Sequence, residues 1–64
     1  MKNKKLSPRE QEIYNLLISG KSRREIMEKL FIAKGTIDWH ILHIYQKKNV
    51  KNRVELVNKH YGGK

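Results

Sequence analysis

The stretch Ser22-Arg23-Arg24-Glu25-Ile26-Met27-Glu28-Lys29-Leu30-Phe31-Ile32-Ala33-Lys34-Gly35-Thr36-Ile37-Asp38-Trp39-His40-Ile41-Leu42-His43-Ile44 decides the fold. Ser22 followed three residues later by Glu25 is a capping box, in which hydroxyl and carboxylate each take one otherwise unpaired backbone amide. Ile26 and Leu30 then share one face of a short helix, with Met27 beside them. After a break, Ile37, Ile41 and Ile44 recur at helical spacing, with Tyr45 and the stem of Lys48 at the edges of their stripe. A short helix, a tight break and a longer helix form the pattern of a helix-turn-helix, in which the second helix would meet DNA. Phe31 and Ile32 are expected to plug the angle between the two helices.

Upstream, Ser7-Pro8-Arg9-Glu10 is a second capping box, with proline at the first helical position, where its missing amide costs nothing. Ile13, Leu16 and Leu17 form the apolar stripe of that helix, Tyr14 and Ile18 widen it, Leu6 staples onto it and Gly20 closes it. Downstream, Asn49 suits a left-handed helix end, and Asn52-Arg53-Val54-Glu55 is a third capping box, opening a helix with Val54, Leu56, Val57 and Tyr61 as apolar surface. The helix from Lys34 has the weakest start, since Ala33 offers no side-chain oxygen and Gly35 costs backbone entropy. The expectation is one all-α domain with helices near 8 to 19, 23 to 30, 34 to 48 and 53 to 61. Its core should contain Leu6, Ile13, Leu16, Leu17, Ile26, Leu30, Ile32, Ile37, Ile41, Ile44, Val50 and Val57. Residues 1–5 read as a flexible basic lead, 6–61 as the helix-turn-helix domain, and 62–64 as a frayed end.

A chain of 64 residues supports one small core. Without cysteine it has neither disulfides nor a thiolate zinc site, so its stability rests on helix packing and on any partner subunit. No apolar run reaches the roughly 20 residues a bilayer needs, and the start Met1-Lys2-Asn3-Lys4-Lys5 leads into no signal-like stretch, so a cytoplasmic location and no membrane partner are expected. The formal net charge is +9, with +5 in residues 1–34 and +4 in residues 35–64, so the excess is not confined to a tail. A field of that size attracts polyanions, nucleic acid before anionic membrane, although charge alone cannot choose between them. An enzyme is not expected: no nucleophile stands beside a base, no glycine-rich phosphate loop is present, and no cofactor is implied.

Leu6-Ser7-Pro8-Arg9-Glu10, Glu12-Ile13, Leu16-Leu17, Gly20-Lys21-Ser22, Glu25-Ile26, Leu30-Phe31-Ile32, Thr36-Ile37, His40-Ile41, Ile44, Lys47, Val50, Asn52-Arg53 and Glu55-Leu56-Val57 together resemble the DNA-binding domain of the LuxR and GerE family of bacterial transcription regulators. The resemblance runs from Leu6 to about Tyr61. It implies a four-helix domain whose second and third helices form the reading unit and whose fourth often pairs with a twofold mate on DNA. Most members join this domain to a receiver or ligand-binding domain, and a few are little more than the domain itself. Met1 before the basic lead favours a whole protein, although an excised domain can carry the same start. The resemblance also implies a phosphate contact for Thr36, a groove-facing surface of Asp38, Trp39, Leu42 and His43, and an edge position for His40. The chain departs from the family pattern at Ala33, Asp38, Leu42, Met27 and Lys48.

Helix periodicity agrees on the surface: with Ile37, Ile41 and Ile44 inward, Asp38, Trp39, Leu42 and His43 lie opposite. Leu42 or the edge of Trp39 can pack on a thymine methyl, Asp38 can accept from cytosine N4, and His43 can donate to guanine or phosphate. Alternatively Trp39 folds sideways as peripheral core, and Asp38 is a local stabiliser near the helix start. Lys21, Arg23, Arg24, Lys34, Thr36, His40, Lys47, Lys51 and Arg53 are the candidate phosphate contacts, each individually matched by an ordinary solvated role. His40 and His43 are three apart, but nothing beyond Asp38 completes a metal set, so no metal is expected. Val54, Asn58 and Tyr61 are candidates for a small, weak homodimer contact strengthened on DNA, or else scattered surface residues. The expected partner is double-stranded DNA, read in the major groove for transcription regulation. The rival is a helical adapter gripping a regulator or the transcription machinery through Trp39 and Leu42.

Overall fold

The computed structural model describes residues 5–62, and within them the chain forms four α-helices and no strand. They are α1 (Pro8–Ile18), α2 (Arg23–Leu30), α3 (Lys34–Lys48) and α4 (Arg53–Gly62). Both expected capping boxes at Ser7 and Ser22 are complete: Ser7 Oγ accepts from the Glu10 amide while Glu10 Oε1 accepts from the Ser7 amide, and Ser22 and Glu25 repeat the exchange. At α4 the Asn52 side chain accepts from the Glu55 amide at 2.9 Å, but the Glu55 carboxylate takes the Lys51 amide in place of the Asn52 amide, a box shifted by one residue. Ala33 provides no side-chain cap for α3, as its missing oxygen dictates. The reading of 62–64 as a frayed end meets the structure only at Gly62, which is the last residue of α4, and residues 1–4 and 63–64 lie outside the described residues.

The core is built from Ile13, Tyr14 and Leu17 of α1, Ile26 of α2, Ile37, Ile41 and Ile44 of α3, and Leu56 of α4. Leu6, Leu16, Leu30, Ile32 and Val50 pack around it, half-buried. Two expectations need correction. On α4 the fully buried side chain is Leu56, 1% exposed, while Val57 is only half-buried, because the phase of a helix docking on α1 and α3 admits one of two neighbouring positions. Phe31 does not plug the angle between α2 and α3. It is the left-handed C-cap of α2, at φ 55° and 93% exposed, and the reversal there throws its ring into solvent while turning Ile32 inward. The Ile32 amide donates back to the Met27 carbonyl at 3.1 Å, closing the turn. No described helix is long and apolar enough to cross a membrane.

Candidate nucleic-acid interface

With its three isoleucines inward, α3 turns Trp39 and Leu42 outward, 55% and 52% exposed. Thr36 is exposed near the start of the helix, and Asp38, His40 and His43 are half-buried along its flanks. Trp39 does not fold over the domain. Its indole stacks on His43 of its own helix, with ring centroids 3.9 Å apart, and meets His40 edge-on at 5.5 Å. An aromatic plate of two rings tilted by 38° to each other therefore stands on the surface of α3, where Leu42 is also exposed.

Beneath that plate sits the domain's one buried carboxylate among the described residues, Glu10. Lys47 Nζ donates to Glu10 Oε1 at 2.7 Å, and His43 Nδ1 lies 3.9 Å from Oε2. The Lys47 ammonium, followed by the Ser7 amide, holds the Glu10 carboxyl below its ordinary range. His43 is thus shared between Trp39 and Glu10 and reaches outward less than the helical wheel suggests. Lys47 spends its charge inside the domain, tying α1 to α3.

The other basic candidates divide by what holds them. Arg53 is a structural clamp: its guanidinium donates from Nε at 3.2 Å and Nη2 at 2.8 Å to the Leu17 carbonyl, and Nη2 also donates to the Lys21 carbonyl. It thereby pins the start of α4 to the last turn of α1 and to the loop that follows. Arg23 and Lys34 converge on Asp38, with Arg23 Nε 3.0 Å from Oδ1 and Lys34 Nζ 3.1 Å from Oδ2. Arg24 is loosely paired with Glu28 at 3.8 Å, and Lys21 and Lys51 are exposed at the ends of the reading unit. His40 Nδ1 is closed off from solvent with no hydrogen-bond partner among the described residues.

On α4, Val54 and Tyr61 are exposed, and Arg53, Val54, Val57 and Asn58 line a shallow apolar groove. The Tyr61 hydroxyl donates to the Ile18 carbonyl at 3.2 Å, so its ring is anchored at one end. Three further contacts escaped the sequence reading because their partners lie on different helices and no local spacing connects them. Tyr14 Oη and His60 Nδ1 are 2.7 Å apart, Lys59 Nζ donates to the Lys48 carbonyl at 2.6 Å, and Lys48 Nζ stands 5.0 Å above the Tyr14 ring. The last gives the Lys48 charge an aromatic face to meet at the edge of the core.

Comparison with known proteins agrees with this architecture. The model of the bacterial regulatory proteins of the luxR family matches residues 4–59. The oxygen regulatory protein NreC of Staphylococcus carnosus is 48% identical over 52 residues, covering 81% of this chain and 24% of that protein. The CsgBAC operon transcriptional regulatory protein of Escherichia coli is 42% identical over 53 residues, covering 83% of this chain and 24% of its own. Among solved structures, the response regulator ChrA of a heme-sensing two-component system superposes with a TM-score of 0.80 at 40% identity, covering 91% of this chain and 29% of that one. The chain thus spans about a quarter of the length of the curated relatives just described. Four helices in this order, a third helix exposed on one face and a family match over nearly the whole chain lead to one assignment: the chain belongs to the luxR family of bacterial regulatory proteins, as a helix-turn-helix domain of the DNA-binding, transcription-regulating kind.

Proposed function

We propose that the chain binds double-stranded DNA sequence-specifically, with α3 lying in the major groove. The observation that carries this reading is the pair Trp39 and Leu42, both more than half exposed on the reading helix of a domain with net charge +9. Large apolar side chains on a solvent face mark a contact surface, and a field of this sign selects a polyanion to meet it. Leu42 and the Trp39 edge pack on thymine methyls. Thr36, Lys21, Arg23, Arg24, Lys34, Lys51 and His40 reach phosphates. Lys47 and Arg53, held by Glu10 and by backbone carbonyls, contribute to the field and to the shape of the domain more than to direct contacts.

Two copies pair weakly through Val54, Asn58 and Tyr61 of α4, setting two reading helices about 34 Å apart on paired half-sites. Selection of a binding duplex from a random pool, followed by footprinting, tests the reading. A protected site with twofold symmetry is expected, and failure to enrich any duplex overturns it. The adapter alternative draws support from the same two side chains and from the absence of an arginine on the outward face of α3. It predicts that Trp39→Ala and Leu42→Ala lose a protein partner while sequence preference on DNA is unchanged.

A further inference from the structure

Asp38 is an acidic group on the face that approaches phosphate, and each of its oxygens lies beside a cation. Oδ2 accepts from Lys34 Nζ at 3.1 Å. Oδ1 is closed off from solvent, lies 3.0 Å from Arg23 Nε and accepts no aligned hydrogen bond, so the Arg23 contact is a charge pair set by proximity. A cytosine amine approaching this carboxylate meets it only in competition with two cations already beside it. Nor is it a strong stabiliser: Arg23, Lys34 and Asp38 are each substantially exposed, and exposed ion pairs contribute little to folding. What the arrangement does control is the two cations. Arg23 opens α2 and Lys34 opens α3, so one carboxylate in the second turn of α3 holds a positive group at the start of each of these two helices and offsets part of their charge.

We propose that Asp38 is a specificity-determining residue that acts through Arg23 and Lys34, restraining them from sequence-blind phosphate contact. The proposal rests on the DNA-binding reading above. On arbitrary DNA, two unrestrained cations would find phosphates in any register. Tethered to Asp38, they meet phosphates well only when α3 is seated in the register that its base contacts select. Asp38 therefore lowers non-specific affinity more than specific affinity, and the ratio of the two rises.

The test uses the full chain, a duplex selected from a random pool by the wild-type protein, and a scrambled duplex of the same composition. Asp38→Asn should leave thermal stability nearly unchanged and bind scrambled DNA about three- to tenfold tighter at low salt. Its salt dependence should steepen by roughly one further counterion, and its preference for the selected duplex should fall. Glu12→Gln, which frees Arg9 from a 3.1 Å pair on α1, makes the same change in net charge and should do much less. In a chain already carrying Arg23→Gln and Lys34→Gln, Asp38→Asn should no longer alter the preference. The proposal is overturned if Asp38→Asn leaves scrambled binding unchanged, if Glu12→Gln reproduces its effect, or if preference is lost at a single base pair alone, the mark of direct readout. A wild-type chain that enriches no duplex overturns the DNA reading first and this proposal with it, an outcome seen before any variant is made.

Discussion

Glu10 performs two tasks with one carboxylate: it caps α1 through the Ser7 amide and accepts from Lys47 on α3. The first was legible, since Ser-Pro-Arg-Glu states it locally. The second joins residues 37 apart in sequence, and no periodicity connects them. Lys47→Met, which keeps the stem and removes the charge, should destabilise the domain by about 1 to 3 kcal/mol at neutral pH, as expected for a hydrogen bond to a charged group. The carboxyl of Glu10 is held below its ordinary value in the folded chain, so its contribution is present above that ordinary value and is lost as pH falls through the folded one. Thermal unfolding of wild type and Lys47→Met should therefore diverge at pH 7 and converge in acid. A gap that persists unchanged in acid contradicts the pairing. Phe31 supplies a second test at this scale. An exposed aromatic side chain in the left-handed region bears a backbone cost and returns no burial, so Phe31→Gly should stabilise by about 1 kcal/mol, raising the melting temperature by roughly 4 to 8 °C.

At the scale of elements, the helices were legible because each carries its own punctuation. Ser7, Ser22 and Asn52 open three of them, Gly20 and Asn49 take up the positive φ that the chain needs at two ends, and the isoleucines of α3 mark its buried face. The misreadings of Phe31 and Val57 have one cause. Hydrophobicity says that a residue can be buried, whereas backbone direction at a cap or the phase of a docked helix decides whether it is. The start of α3 is the weak joint of the reading unit. Ala33→Ser should supply the missing cap acceptor and add about 0.5 to 2 kcal/mol. Gly35→Ala, at a helical position where an added Cβ meets nothing within 4 Å, should add roughly 0.5 to 1 kcal/mol. Denaturant midpoints of the two variants check both values, and a loss in either would mean that this turn is held in a geometry other than a regular helix start.

For the whole molecule, charge was legible as a total but not as a distribution of tasks. Fifteen basic side chains give the field, yet only the fold reveals that Lys47, Arg53 and Lys59 are committed to a carboxylate and to carbonyl groups inside the domain. Arg53→Ala should accordingly cost stability as well as affinity, visible as a lower melting temperature without DNA. Val54→Ala with Tyr61→Ala should weaken cooperative binding to paired half-sites while leaving binding to a single half-site intact. Unchanged cooperativity would move the contact between copies away from α4. The central claim, that the exposed face of α3 reads DNA in a positive field, is tested most directly by titrating the selected duplex and its scrambled counterpart across a range of salt. The account predicts that log affinity for both falls linearly with log salt, by about 0.9 for each phosphate neutralised, and that the selected duplex is bound roughly tenfold tighter or more at every salt concentration. Equal affinity for the two duplexes across the whole range would contradict it.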